Sequence, residues 1–260
     1  MIEFLDNVAR KRGPPHTLAL EVAKTRAAME IGDSTGAFYV PRVLRHDPEA
    51  GVIDFERMSD LVPLAAMAGR RDTRLHPIMR RAGQALALVH TRLVLPPEMR
   101  IPLPPEWMRP PAEHVFVHGD FSFQNVACHE PTNRLVILDW SIMPFLNTPG
   151  MFGPKYFDVV WFVVNLFHYA LGRLGRPLFA RKMADVFLDT YGNQPGGGLD
   201  RALFRTFQAY AWRPIRRSLP GRLATRPWLR RIVYHAQELY VQRAFMAYEP
   251  ACFRRQPASG

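Results

Sequence analysis

Apolar residues recur along the first half of the chain at two spacings, which predict helices and strands in turn. Apolar positions four to seven residues apart predict a helix over 17–31, with Thr17 as its N-cap and GDSTG as its stop. A longer helix is predicted over 74–93, where apolar residues recur every three or four positions. FYVPRVL at 38–44 and VIDFERM at 52–58, joined by HDPEAG, are typical of a β-hairpin.

The pattern of the second half is mostly helical. Seven prolines between 96 and 111 predict a stiff connector without regular structure. After it, VFVH at 115–118 and RLVILD at 134–139 are predicted to be short strands around a polar loop, and NQPGGG at 193–198 is predicted to be a turn. Helices are predicted over 156–171, 177–190, 200–212 and 227–247.

The most apolar run, VVWFVVNLFHYAL at 159–171, is too short to cross a bilayer and contains Asn165 and His168, which favours a buried helix. The start of the chain lacks the basic lead and apolar stretch of a signal peptide. Cys128 and Cys252 are the only cysteines and form no CxxC pair, which fits a reducing compartment. We therefore predict a cytoplasmic globular protein without a transmembrane segment.

Charge is distributed unevenly along the chain. Residues 1–158 hold 18 Lys+Arg and 18 Asp+Glu, whereas residues 159–260 hold 16 and 5, so the net charge of +11 lies in the later part. Arginines are densest at 212–231, where tryptophans accompany them. Two interpretations stay open: a solvated helical surface, or attraction for an anionic substrate, lipid surface or nucleic acid. No recognisable nucleic-acid-reading motif accompanies the arginines, so no specific nucleic-acid partner is predicted.

The segment VHGDFSFQNVACHEPTNRLVILDW at 117–140 concentrates the groups with catalytic chemistry. Asp120 follows the first predicted strand and can accept a proton from a hydroxyl. Asn125 on the same loop and Asp139 at the end of the next strand can together hold a divalent cation through oxygen ligands. Phosphoryl transfer needs this set of groups, because the reaction depends on positioning an acceptor and neutralising phosphate charge.

Two other interpretations of this segment stay open. Asp and Asn side chains cap backbone groups in many solvent-facing turns, with no further role. Alternatively, His114, His118 and His129 offer three imidazoles for a zinc site. His114 and His118 share one face of the predicted strand, but His129 lies beyond the loop, so a zinc ion would need ligands from both sides.

The motif HGDxxxxN, followed by an apolar strand that ends in Asp-Trp, resembles the catalytic and metal-binding segments of the aminoglycoside phosphotransferase and choline kinase family, within the protein-kinase-like fold. The resemblance implies that Asp120 is the catalytic base or orients the acceptor hydroxyl. It implies that Asn125 and Asp139 ligate magnesium. His118 and Asp158 are then structural, with Asp158 at the start of the next helix bracing the catalytic loop.

The same resemblance implies a nucleotide site upstream. In this fold a strand lysine holds the phosphates of ATP and a glutamate on the following helix holds the lysine. VARK has the shape of the V-A-x-K strand, so Lys11 pairs with Glu21, and Lys24 is expected on the helix surface. Glu56 and Met58 belong to the segment whose backbone meets adenine. The alternative for Lys11 is a plain basic N-terminal stretch, because V-A-x-K is a short pattern.

The implied architecture is α+β and protein-kinase-like, with a small, truncated N-terminal β lobe over 1–60 that binds nucleotide and a larger, mainly helical lobe over 61–260 for catalysis and substrate. No GxGxxG or GxxxxGK[ST] motif is present. Seven residues precede Val8, too few for the two strands and the glycine-rich turn that the family has before this point. Three explanations stay open: a true start upstream, a kinase with an open phosphate site, or a protein that no longer transfers phosphate.

The predicted activity is ATP- and Mg2+-dependent transfer of the γ-phosphoryl group to a hydroxyl. Polycationic aminoglycosides need an acidic surface, so the basic residues 159–260 favour a small neutral or anionic acceptor, sugar-like or lipid-linked. Trp212, Trp228 and Tyr234 either stack on a sugar ring or belong to the core. The alternative is a kinase-shaped binding protein that holds an anionic partner on this basic surface. The sequence does not address the oligomeric state.

Overall fold

The structure is a computed structural model, and it describes residues 2–70, 72–142, 149–171, 177–224 and 228–254. The strands of these ranges are β1 (Ile2–Phe4), β2 (Val8–Arg12), β3 (Val43–Asp47), β4 (Val52–Glu56), β5 (Leu61–Pro63), β6 (His114–Phe116), β7 (Val126–His129), β8 (Arg134–Ile137) and β9 (Phe152–Pro154). The α-helices are α1 (Pro15–Thr35), α2 (Leu64–Arg70), α3 (Leu75–Arg92), α4 (Pro105–Met108), α5 (Tyr156–Leu171), α6 (Pro177–Gly192), α7 (Arg201–Ala224), α8 (Trp228–Met246) and α9 (Ala251–Arg254).

The first sheet is antiparallel and has the strand order β1-β2-β4-β3. A cross-strand ion pair fixes its register, because the Arg10 guanidinium donates to both oxygens of Asp54 at 2.7 and 2.8 Å. Helix α1 covers one face of the sheet and buries Leu18 and Val22 against Ile53. β5 pairs with β7 and does not belong to the first sheet. The boundary between the two lobes after residue 60 stays a proposal.

Helix α1 is longer than the sequence pattern predicts. Its N-cap is Pro14, and Pro15 stands in the first turn, so the prediction that Thr17 caps the helix is wrong. Proline suits this position because the first helical amides have no partner within the helix and proline has no N–H to leave unpaired. The helix continues through GDST and ends at Gly36, whose φ of 66° is the left-handed conformation that glycine accepts readily.

The predicted hairpin forms, but its first strand lies later than expected. β3 begins at Val43, and Tyr39 instead forms an isolated parallel bridge with Val136 of β8. The Tyr39 amide donates to the Leu135 carbonyl at 2.8 Å, and the Ile137 amide donates to the Tyr39 carbonyl at 2.9 Å. This parallel bridge ends at Pro41, which has no amide proton for a further bond. The segment after α1 therefore fastens the first sheet to β8.

The large lobe packs its helices around α5. This helix is buried along most of its length and contacts α6, α7 and α8, so the prediction of a buried helix is confirmed. Helix α3 packs closely on α6 at Gly83, where a Cβ atom would lie 2.5 Å from the Phe187 carbonyl oxygen. No helix within the described ranges is both long and apolar enough to cross a membrane.

Several boundaries differ from the sequence prediction. β1 and β7 were not anticipated, and α7 continues to Ala224 rather than ending near 212. The proline connector contains a 3-10 turn at Pro97–Met99 and the single turn of α4. α4 places Trp107 in the core against Phe157 and Phe207, so a segment that reads as a loop is anchored by one large aromatic side chain.

Candidate active site

The loop that follows β6 carries Asp120, and a buried carboxylate holds this loop in shape. Asp158, in the first turn of α5, is completely buried and accepts hydrogen bonds from the His118 amide at 2.7 Å and the Gly119 amide at 2.9 Å. Gly119 has a φ of 91°, which a residue with a Cβ atom rarely adopts. Asp158 thus lies where the sequence predicted a brace for the catalytic loop.

A third partner of Asp158 is His90, on the buried face of α3. His90 Nε2 lies 3.1 Å from Asp158 Oδ2, and His90 Nδ1 lies 2.8 Å from the Tyr191 hydroxyl. Burial would raise the pKa of Asp158, but the hydrogen bond from His90 and the neighbouring positive potential hold that pKa below its ordinary value. The sequence analysis missed His90, and its only signal was its place four residues after Leu86 in an apolar helical repeat.

The His118 ring links the loop of Asp120 to the end of β8. Its Nε2 lies 3.0 Å from the Leu138 carbonyl oxygen, and its Nδ1 accepts the Asp120 amide at 3.2 Å. Nε2 is therefore the protonated nitrogen of a neutral ring. Burial, assisted by the charge of Lys24, lowers the pKa of His118 to about 4. The ring of His118 is thus bonded to the main chain at both nitrogens, and its structural role stays a prediction.

The zinc interpretation is wrong for the described residues. The His118 nitrogens are engaged with the backbone, while His129 Nδ1 contacts the Thr132 hydroxyl at 2.8 Å. His114 is exposed on β6. Across the part of the chain that the structure describes, no group of three or more His, Cys, Asp or Glu residues could hold a metal ion. Cys128 and Cys252 are both free thiols.

Both carboxylate oxygens of Asp120 accept hydrogen bonds from side chains distant in sequence or across the loop. The Trp161 indole donates to Oδ1 at 2.8 Å, and the Asn125 amide nitrogen donates to Oδ2 at 2.7 Å. Burial raises the pKa of Asp120, although these two hydrogen bonds oppose the shift. Trp161 was not predicted as a site residue. Its indole fixes the direction in which the Asp120 carboxylate points.

Asn125 and Asp139 line the same cleft, as the sequence predicted for two ligands of one cation. The Leu138 amide donates to the Asn125 carbonyl at 2.8 Å, which holds the two loops side by side. Asp139 has a φ of 56°, uncommon for a residue other than glycine, and its side chain is 41% exposed toward the cleft. Because the Asn125 amide nitrogen is bonded to Asp120, its amide oxygen is the atom that could ligate a cation.

This donor set fits magnesium. Mg2+ is usually held by one or two protein oxygens, with waters and substrate phosphates completing its coordination. One carboxylate and one amide oxygen on adjacent loops match that requirement without a cage of protein ligands. A calcium or zinc site would need more protein ligands than the two that meet here.

Lys11 and Glu21 form the predicted ion pair. Lys11 Nζ lies 2.7 Å from Glu21 Oε1 and 3.2 Å from Asp139 Oδ1, so it connects α1 to the loop after β8. Burial would lower the pKa of Lys11, but the carboxylates of Asp139 and Glu21 raise it above its ordinary value. Burial raises the pKa of Glu21 despite the opposing charge of Lys11. The alternative of a plain basic N-terminal stretch does not account for this geometry.

Lys24 is not on the surface, and that prediction is wrong. Its side chain is completely buried, and Nζ donates to the main-chain carbonyls of His118 at 2.7 Å and Ser141 at 3.1 Å. Helix α1 turns Lys24 toward the same side as Glu21, since residues three apart share a helix face. No sequence pattern indicates this position, because main-chain carbonyl partners have no residue signature.

A cavity of about 370 Å3 opens beside these groups, between the first sheet and the loop after β8. Its walls are mainly apolar, as expected for a site that takes a flat aromatic ring. The apolar lining residues include Ile2, Phe4, Ala9, Val40, Phe55, Met58, Leu61 and Leu138. Glu56 also lines it, but its carboxylate accepts the Tyr39 hydroxyl and the Arg42 amide, which turns that side chain toward the Tyr39 segment.

The three aromatic residues predicted as sugar platforms or core residues divide between environments. Trp212 is buried and its indole stacks on the His168 ring with 5.3 Å between centroids, so it belongs to the core. Trp228 is 67% exposed at the start of α8, and Tyr234 is partly buried on the same helix. The exposed arginines of this region include Arg213, Arg230 and Arg243.

Comparison with known proteins identifies the fold. Neither a protein-family model nor a curated protein matches the sequence. Among solved structures, the chain is similar to choline kinase LicA from Streptococcus pneumoniae, with a TM-score of 0.54 and 11% identity over 95% of this chain and 88% of that one. It is also similar to an aminoglycoside phosphotransferase from Streptomyces rimosus, solved with ADP and streptomycin, with a TM-score of 0.48 and 16% identity over 77% of this chain and 84% of that one. The chain therefore has the protein-kinase-like fold, a small sheet lobe and a larger helical lobe, that its HGD and Asp-Trp motifs predicted.

Proposed function

We propose that this protein is an ATP- and Mg2+-dependent phosphotransferase that acts on a hydroxyl of a small acceptor. The observation that carries the proposal is that Lys11 Nζ lies within 3.2 Å of a carboxylate oxygen of both Glu21 and Asp139, and that all three residues line an apolar cavity. A phosphoryl-transfer site of this kind needs a phosphate-binding lysine held by a glutamate, together with a metal-binding carboxylate in the same cleft. Asp120 stands beside it, joined through Asn125.

The cavity is proposed to hold the nucleotide. Its apolar walls would cover adenine, and the backbone of Glu56 and Met58 would meet the edge of the base. Lys11 is held by Glu21, so its ammonium group remains in the cleft where the phosphates of ATP would lie. The magnesium ion, held by Asn125 and Asp139, would neutralise charge on the phosphate oxygens.

Asp120 is proposed to orient the acceptor hydroxyl and take its proton as the oxygen attacks the γ-phosphorus. The bond from that oxygen to phosphorus forms, the bond from phosphorus to the leaving oxygen of ADP breaks, and the proton passes to the Asp120 carboxylate. Burial favours this step because it raises the pKa of Asp120 toward the range in which a carboxylate accepts a proton. Trp161 and Asn125 keep the carboxylate in one orientation.

The acceptor is proposed to be neutral or anionic. In this fold the acceptor meets the large lobe, and residues 159–260 carry 16 Lys+Arg against 5 Asp+Glu. A polycation such as kanamycin would be repelled by that surface, whereas a phosphorylated, carboxylated or lipid-linked sugar would be attracted. Efficient ATP-dependent modification of kanamycin would contradict this assignment.

The same charge supports one other candidate, a kinase-shaped binding protein for an anionic partner. Such a protein would use Arg213, Arg230 and Arg243, which are exposed, and would not depend on the metal site. Binding would weaken steeply with salt and would be indifferent to Asp139→Ala. A phosphotransferase would instead lose Mg-ATP binding in Asp139→Ala, and its binding would not weaken steeply with salt.

Thermal unfolding with and without Mg-ATP tests the proposal on the wild type and on Asp139→Ala. Ligand at a hundredfold its dissociation constant stabilises the folded state by about 2.7 kcal/mol, which for a chain of this size shifts Tm by roughly 5 to 10 °C. We expect a shift that requires magnesium and disappears in Asp139→Ala. No shift of the wild type at millimolar Mg-ATP would contradict nucleotide binding by this chain.

A further inference from the structure

Lys24 is a charged residue in the core, and the proposed reaction gives it no direct role. Its side chain is 0% exposed, so Nζ cannot reach a phosphate in the cavity without leaving its site. Its hydrogen-bond acceptors are two main-chain carbonyls, of His118 and Ser141. Within the described residues no carboxylate lies within ion-pair distance of Nζ, in contrast to Lys11 beside Glu21 and Asp139.

A core position with no task beyond packing favours an apolar side chain. Lysine is almost never fully buried without a partner of opposite charge, because a charge loses its hydration when it is buried. Burial lowers the pKa of Lys24 to about 8, and the more distant Asp158, Glu21 and Asp139 limit that fall while Lys11 adds to it. The group is therefore still charged at neutral pH, which makes its two bonds to carbonyl oxygens strong.

The two carbonyls belong to the two loops of the site. His118 lies two residues before Asp120, and Ser141 lies two residues after Asp139. Glu21, one turn earlier on α1, holds Lys11. One helix thus contacts the strand lysine through Glu21 and both loops through Lys24.

We propose that Lys24 is a positioning residue that holds α1, and with it the Lys11–Glu21 ion pair, in register with the loops of Asp120 and Asp139. The expected effect of Lys24 on nucleotide binding rests on the proposed phosphotransferase function. Its expected effect on the two loops concerns the nucleotide-free protein and does not depend on that function. Lys24 acts through other residues, because it touches neither the cavity nor Asp120.

Hydrogen exchange on the nucleotide-free protein gives the first test. Lys24→Met keeps an unbranched apolar chain of similar length but removes the donor, and Lys24→Gln keeps an N–H donor on a chain one bond shorter. Lys182→Met, at an exposed position of α6, is the matched control. We expect amides of 117–126 and 138–142 to exchange at least tenfold faster in Lys24→Met, with α5 unchanged, Lys24→Gln intermediate and Lys182→Met identical to the wild type.

Binding of Mg-ATP to the same proteins gives the second test. We expect Lys24→Met to raise the dissociation constant for Mg-ATP at least tenfold, while its Tm is unchanged or higher. Lys24→Gln should recover part of the affinity. Wild-type exchange and affinity in Lys24→Met would overturn the proposal. If Lys24→Met does not fold, Lys24→Gln decides: faster exchange confined to the two loops supports positioning, and a uniform increase throughout the protein overturns it.

The two proposals fail in different ways. If the wild type binds no Mg-ATP, the phosphotransferase proposal fails, whereas the exchange of the two loops still decides the role of Lys24. If Mg-ATP binds the wild type and Lys24→Met equally well and the loops exchange alike, only the role of Lys24 is lost.

Discussion

The candidate active site and the C-terminal helices carry charge in opposite ways. In that site, the charges of Lys11 and Lys24 are influenced by the carboxylates of Glu21, Asp139 and Asp158, and Asp120 is influenced by Asp139 and Asp158. Four carboxylates against two lysines leave a formal excess of two negative charges. The C-terminal region has the whole excess of positive charge, and arginines such as Arg230 and Arg243 are exposed there. A net charge of +11 therefore describes the surface of the protein, while its candidate chemistry depends on a small cluster of the other sign that suits a divalent cation.

The largest change in the free energy of unfolding is expected from Asp158→Ala, in the candidate active site. The change leaves the amides of His118 and Gly119 and the ring of His90 without their buried acceptor. Removing one partner of such a buried set costs about 3 to 5 kcal/mol, and urea unfolding at pH 7 measures the loss. Asp33→Ala is the control, because Asp33 is exposed and 3.8 Å from Arg42, and it should change stability by less than about 1 kcal/mol. Equal losses of stability in the two variants would contradict the role of Asp158 as a buried acceptor.

A second, smaller effect is expected from acid. The pKa of His118 is about 4 in the folded protein against 6.5 for an ordinary histidine. Between these values the unfolded chain binds the proton and the folded protein does not, so stability falls as the pH decreases from 6.5 to 4. The contribution is on the order of 3 kcal/mol, from about 1.4 kcal/mol for each unit of pKa difference. His118→Asn should have a shallower dependence of the free energy of unfolding on pH in this window, whatever its stability at pH 7. Parallel curves for the two proteins would contradict the assignment.

The smallest effect is expected on the arginine surface. Arg230→Ser removes an exposed charge and should change the free energy of unfolding by less than about 0.5 kcal/mol. It should also leave the Mg-ATP-dependent shift of Tm unchanged. Calorimetric or fluorescence-monitored unfolding at low and moderate salt measures both quantities. A loss of the Mg-ATP shift in Arg230→Ser would mean that the basic surface belongs to the nucleotide site.

The sequence predicted the parts of the site that are close together along the chain. Asp120, Asn125 and Asp139 lie within one short segment, and their spacing carries most of the geometry. Lys11 and Glu21 are ten residues apart on adjacent elements, so one strand and one helix suffice to pair them. These residues are identified through the resemblance of the HGDxxxxN, Asp-Trp and VARK segments to a known family, and short separations along the chain make their proximity a local matter.

The contacts that the sequence did not predict join distant segments through groups with no pattern of their own. His90 and Asp158 are 68 residues apart, and Lys24 and Ser141 are 117 apart. The Trp161 bond to Asp120 depends on the packing of α5, and Lys24 was placed on the surface because lysine is usually found there. Tertiary packing decides such contacts, and the main-chain carbonyls that Lys24 contacts are the same for every residue type.

The Tyr39 bridge has a mechanical consequence. Its two main-chain hydrogen bonds fasten the small lobe to β8, a few residues before Asp139. Residues of β1 and β2 line another part of the cavity. Any opening that preserves these bonds is a rotation about an axis near Tyr39, because sliding the lobes apart would break both. Under the proposed function, nucleotide entry and product release would then follow a swinging path, with the widest gap on the side of the cleft farthest from this residue.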